Sequence, residues 1–130
     1  MLLMSPAAVA SEIEQTDAAI RSAGYQGNIL LRPPYGKKLL VLPWYLAQQN
    51  RTTIMWDLEP ETDPKLASDA QAMAAYVINN AKPGSIVLLH VMYPSRQASR
   101  EALPVIIEGL KQKGYRFVTV NELLALRAQN

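Results

Sequence analysis

The sequence predicts an α/β fold built on parallel strands joined by crossover helices, and three observations carry that expectation. Helical and strand-like segments alternate along the whole chain. The strand runs are continuously apolar rather than alternating, as expected of strands covered on both faces. No Asn-Gly or Asp-Gly pair marks a hairpin, so consecutive strands connect through helices and lie parallel. An open sheet and part of a (β/α) barrel both satisfy the pattern, but four parallel strands cannot close a barrel.

Each element has a local cause. Ser5-Pro6 reads as an N-cap followed by proline at the first helical position. Val9, Ile13, Thr16 and Ile20 then mark one helical face, and Gly24 ends it. Ile29-Leu30-Leu31 is a short strand, closed by the loop Arg32-Pro33-Pro34-Tyr35-Gly36. Leu39 to Gln49 reads as a helix despite Pro43. Thr52 to Trp56 is β-branched and apolar, a strand, and Asp57 to Asp63 is an acidic loop.

Asp63-Pro64 repeats the cap-plus-proline start for a helix through Leu66, Ala70, Met73 and Val77, stopped at Lys82-Pro83-Gly84. Ile86 to Leu89 is the clearest strand and ends at His90. Ser99 to Lys113 is a helix with Gly114 after it and Pro104 in its early part. Arg116 to Val120 is the last strand, and Asn121 is expected to cap a closing helix through Leu123, Leu124 and Leu126.

Composition excludes several chemistries. The chain has 130 residues, 49% of them hydrophobic and 18% charged, which is ordinary for one domain or part of one. With no cysteine there is no disulfide, thiolate nucleophile or zinc ribbon. With one histidine, no metal site can draw two imidazoles from this chain. Thirteen basic against eleven acidic residues leave +2, with only Lys37-Lys38 and Lys111 with Lys113 clustered. That is too weak a footprint for nucleic-acid binding. No segment reaches the ~20 apolar residues of a membrane span. The start, Met1 to Pro6, lacks a basic n-region, so no export signal is expected in these residues.

The residues after the strands carry the chemistry. Arg32, Asp57 and His90 each follow a strand, at the end where parallel α/β folds bind ligands. His90 suits general acid–base catalysis, because an imidazole exchanges protons near neutral pH; it could equally be a hydrogen-bonded core residue. Arg32 could clamp an anion or orient a carboxylate. Asp57, Glu59, Glu61 and Asp63 form either a solvated loop or a source of one carboxylate that orients His90. An open-sheet phosphate site is disfavoured, since no glycine-rich loop follows a strand and the two prolines remove backbone donors.

Arg32-Pro33-Pro34-Tyr35-Gly36 after a strand resembles the third motif of the NodB-like polysaccharide deacetylases, carbohydrate esterase family four. Leu88-Leu89-His90 resembles their fifth motif, Leu-x-His at a strand end. Met55 to Pro60 is similar to the approach to their fourth motif, and Lys113 to Val120 to the end of their domain. The resemblance implies one partial domain over residues 1–130: an incomplete (β/α) barrel whose first two strands are absent.

The activity it implies is hydrolysis of N-acetyl or O-acetyl groups on a polysaccharide or oligosaccharide. In that family a divalent metal such as zinc activates water, held by an Asp-Asp and a His-x-x-x-His motif. Neither motif occurs in these residues, so no cofactor is expected in this chain and the fragment alone is expected to be inactive. By resemblance, the Tyr35 backbone N–H is the oxyanion donor and Pro34 supports it. Arg32 holds the base aspartate, His90 protonates the leaving amine, and Leu88 lines the acetyl pocket. Glu59 falls near the acid that tunes the histidine, with Asp57 as competitor. The tryptophan expected after that acid is replaced by Asp63-Pro64.

The alternative is a non-catalytic α/β module that binds carbohydrate or a partner protein through an open barrel edge. Partners then include a missing N-terminal segment or a second copy. The resemblance also implies a periplasmic or extracellular site of action.

Overall fold

The structure, a computed structural model, describes residues 5–33 and 41–129. The chain divides into two compact units, residues 1–55 and 56–130.

In the first unit, helix α1 (Pro6–Ser22) begins as expected: the Ser5 hydroxyl accepts the Ala8 N–H, and Pro6 occupies the first turn. Helix α2 (Val41–Gln48) follows. Val9 and Ile13 of α1 pack with Tyr45 and Leu46 of α2, and Leu31 rests against them. Leu31 forms a parallel bridge with Thr53, through Leu31 N–H to Thr52 C=O and Ile54 N–H to Leu31 C=O.

The second unit holds a 3-10 turn (Pro60–Thr62) and helices α3 (Pro64–Ala67), α4 (Ala70–Asn80), α5 (Gln97–Gln112) and α6 (Val120–Arg127). Its core joins Met73, Ala74 and Val77 of α4 to Ala102, Ile106 and Leu110 of α5, with Leu58 buried among them. Val87 and Leu89 pack on this core.

Three element boundaries differ from the sequence reading. The helix from Asp63 breaks at Ser68, because the Asp69 carboxylate accepts the Gln71 and Ala72 N–H groups and starts α4 afresh. Helix α5 begins at Gln97, which places Ser99 inside its first turn. Helix α6 is capped by Thr119, not Asn121. Thr119 and Glu122 form a reciprocal capping box.

The expected strands are reduced. Among the described residues pairing consists of two isolated parallel bridges, Leu31 with Thr53 and Leu58 with Val87, and no ladder forms. The parallel sense matches the expectation. The reason for the short pairing is visible at Val87. The bridge is made by Leu58 to Ile86 and Leu88, so the peptide groups of Val87 itself point to the other edge. No backbone bond joins that edge to another described residue, and parallel strands are stable mainly where both edges are paired and both faces covered.

Candidate active site

The site is built around the extended segment that ends at His90. Asp57 anchors its start: one carboxylate oxygen accepts the Ser85 hydroxyl and the other the Ile86 N–H, both at 2.6 Å. Leu88 then donates its N–H to the Leu58 carbonyl at 2.8 Å. Alternation places Val87 and Leu89 on the helical core and Leu88 on the opposite face with His90.

The carboxylate that meets His90 is Glu61, not Glu59 or Asp57. Glu59 instead accepts the Trp56 indole N–H at 2.9 Å, and Asp57 is engaged at Ser85 and Ile86. The 3-10 turn explains the choice, because it buries Glu61 while Thr62 and Asp63 stay exposed. The Glu61 carboxylate accepts the His90 backbone N–H at 3.0 and 3.2 Å and lies 2.5 Å from imidazole Nδ1. Its Oε1 also accepts the Ser99 hydroxyl at 2.5 Å.

Ser99 is fully buried, the Glu61 side chain is 3% exposed, and the His90 side chain is 41% exposed. Burial pushes the Glu61 carboxyl upward, but the bonds from Ser99 and His90 and the nearby Arg96 charge outweigh it. The net position is below the ordinary glutamate range. An ionised Glu61 only accepts, so Nδ1 carries the proton between them. Nε2 is then the ring nitrogen left to exchange a proton with a ligand. The sequence marks Ser99 only as a helix start, and nothing local in it signals a site residue.

Arg32 belongs to the first unit. It follows the Leu31 bridge as expected and donates Nε–H to the Ile54 carbonyl at 3.3 Å. Pro34 and Tyr35 lie outside the described residues. Among the described residues no group of three or more His, Asp or Glu side chains is arranged to hold a metal ion. Both Glu61 oxygens are already engaged by Ser99 and His90. These residues do not fit a divalent metal.

No protein-family model matches the sequence. The chain is 32% identical over 130 residues to a bifunctional xylanase/deacetylase from Pseudobutyrivibrio xylanivorans, covering all of this chain and 21% of that protein. It is similar to the solved peptidoglycan deacetylase PdaC from Bacillus subtilis, with TM-score 0.77 and 30% identity over 99% of this chain and 61% of that one. It is also similar to a CE4 family pseudoenzyme from Bacillus anthracis, with TM-score 0.76 and 27% identity over 95% of this chain and 42% of the other. The chain thus spans about a fifth of the first relative's length and under two thirds of either solved chain. The likeness to the two solved structures runs over nearly the whole of this chain, and together these similarities support a fragment that resembles part of the domain of the NodB-like polysaccharide deacetylases of carbohydrate esterase family four.

Proposed function

We propose that this chain is the proton-donor part of a single carbohydrate deacetylase domain, an incomplete barrel that hydrolyses N-acetyl or O-acetyl groups on an envelope polysaccharide. The observation that carries the reading is the buried Glu61 carboxylate holding both the backbone and the ring of His90. An imidazole fixed through Nδ1 can protonate a leaving nitrogen or oxygen through Nε2. Leu88 borders the acetyl methyl, Arg32 orients the base, and Tyr35, with Pro34 beside it, offers a backbone N–H to the oxyanion. A divalent metal such as zinc would be held by polypeptide outside this sequence. The action is periplasmic or extracellular. Among the described residues no helix is long and apolar enough to cross a membrane.

The test is acetate release from N-acetylglucosamine oligomers by the protein that contains this sequence. His90→Ala should lower turnover by about 10²–10⁴. Unchanged turnover refutes the role. The isolated 130-residue chain should release no acetate, and chelator-sensitive turnover by it would overturn the division of labour.

A second reading, a non-catalytic module, rests on a different observation. A cavity of about 430 Å³ is lined by Val87 and Leu89, by α5 and by Phe117 and Val118. Phe117 is exposed. An unpaired backbone edge beside apolar walls suits an added extended segment or a second copy of the chain. A solution mass above 14.4 kDa would favour self-association.

A further inference from the structure

The turn after His90 has no part in the chemistry described so far, yet it is held firmly. The Arg100 guanidinium on α5 donates to three of its backbone carbonyls. Nη1 reaches the Tyr93 carbonyl at 2.6 Å and the Val91 carbonyl at 3.3 Å, and Nη2 reaches the Pro94 carbonyl at 3.1 Å. The Arg96 N–H closes the turn on the Tyr93 carbonyl at 3.0 Å. A turn pinned in this way nevertheless turns two large apolar side chains outward: Met92 is 89% exposed and Tyr93 is 59% exposed. Tyr93 also stands beside the site, its ring centroid 6.1 Å from that of His90 and tilted by 39°.

Exposed apolar side chains normally cost solubility. Here they sit on a rigid backbone next to an imidazole, where a ligand could cover them. We infer that Met92 and Tyr93 form a saccharide-binding platform, on which a pyranose ring lies against the Tyr93 face and the Met92 side chain. The inference rests on the deacetylase reading above and deepens it. A sugar stacked on Tyr93 brings a ring substituent toward His90. The tyrosine supplies the flat aromatic surface that the acidic loop, with Asp63-Pro64 in place of a tryptophan, does not. A rigid ring loses little rotamer entropy on binding, and the Arg100 clamp has already ordered the backbone.

The experiment is titration of the 130-residue chain with an N-acetylglucosamine tetramer, followed by calorimetry and by saturation-transfer NMR from the aromatic protons. Tyr93→Ala should weaken binding about tenfold and remove transfer to the pyranose protons, while Tyr93→Phe keeps both. Arg100→Gln, which releases the turn but leaves the ring, should weaken binding less than Tyr93→Ala. Thermal unfolding of each variant separates loss of contact from loss of fold. Binding that Tyr93→Ala leaves unchanged overturns the platform while leaving the deacetylase reading intact. No binding by the unaltered chain also overturns the platform, whereas the deacetylase reading stands or falls on the acetate-release assay.

Discussion

Glu61 and His90 are joined twice, once through the histidine's backbone N–H at 3.0 Å and once through its ring Nδ1 at 2.5 Å. One carboxylate therefore sets where the residue sits and which ring nitrogen faces outward. Two bonds fix the imidazole better than one, because rotation about the side chain would break the second without releasing the first.

Replacing that carboxylate should be costly to the fold. Glu61→Ala leaves the buried Ser99 hydroxyl and the His90 N–H without acceptors, an expected loss of about 2–4 kcal/mol in urea unfolding. Glu61→Gln keeps the volume and one acceptor oxygen, and should cost roughly half as much. Equal unfolding midpoints for all three proteins would contradict the described network.

The same residue gives stability a pH dependence of definite sign. Its folded-state carboxyl titrates below the ordinary value of 4.5. The fold thus favours the ionised form. This stabilisation is complete above the unfolded-state value and fades as pH drops through the folded-state one. Melting temperature should fall on acidification below pH about 4.5, and Glu61→Gln should fall less steeply over that window. Parallel curves would show that Glu61 is not the group responsible.

The helical core beneath the site should respond as a packed interior. Met73 is fully buried between α4 and α5. Met73→Ala should cost about 2–5 kcal/mol, whereas Met73→Leu should cost less than about 1.5 kcal/mol, both read from denaturant midpoints.

Much of the helical framework was legible in the sequence, because caps and apolar spacing act locally. Ser5-Pro6 starts α1, and Val9 and Ile13 form its buried face. The fresh start at Asp69 is not legible, because helical spacing runs unbroken from Leu66 to Val77, and spacing does not register a side chain that caps a new start. Asn121 is a good capping residue and reads as the start, but Thr119 caps as well, and its reciprocal bond with Glu122 makes it the actual cap. The apolar runs gave the parallel sense of pairing but not its extent, which depends on neighbours at each edge.

At the site, His90 could be singled out as the one imidazole after a strand. Its partner could not. Asp57, Glu59, Glu61 and Asp63 are alike in charge and locale, and what separates them is tertiary. Ser99 reaches Glu61 from 38 residues away, Trp56 takes Glu59, and Ser85 takes Asp57.

Asp57 therefore matters to His90 without touching it. By gripping Ser85 and Ile86 it fixes the zero of a ruler whose fourth mark is the imidazole. Side chains in an extended segment alternate, so a one-residue deletion between Ile86 and Leu89 would move the histidine to the place and face of Leu89 and offer Glu61 Val91 instead. The imidazole's address is set at the segment's first peptide, and a change in length there would be more damaging than most changes of side chain.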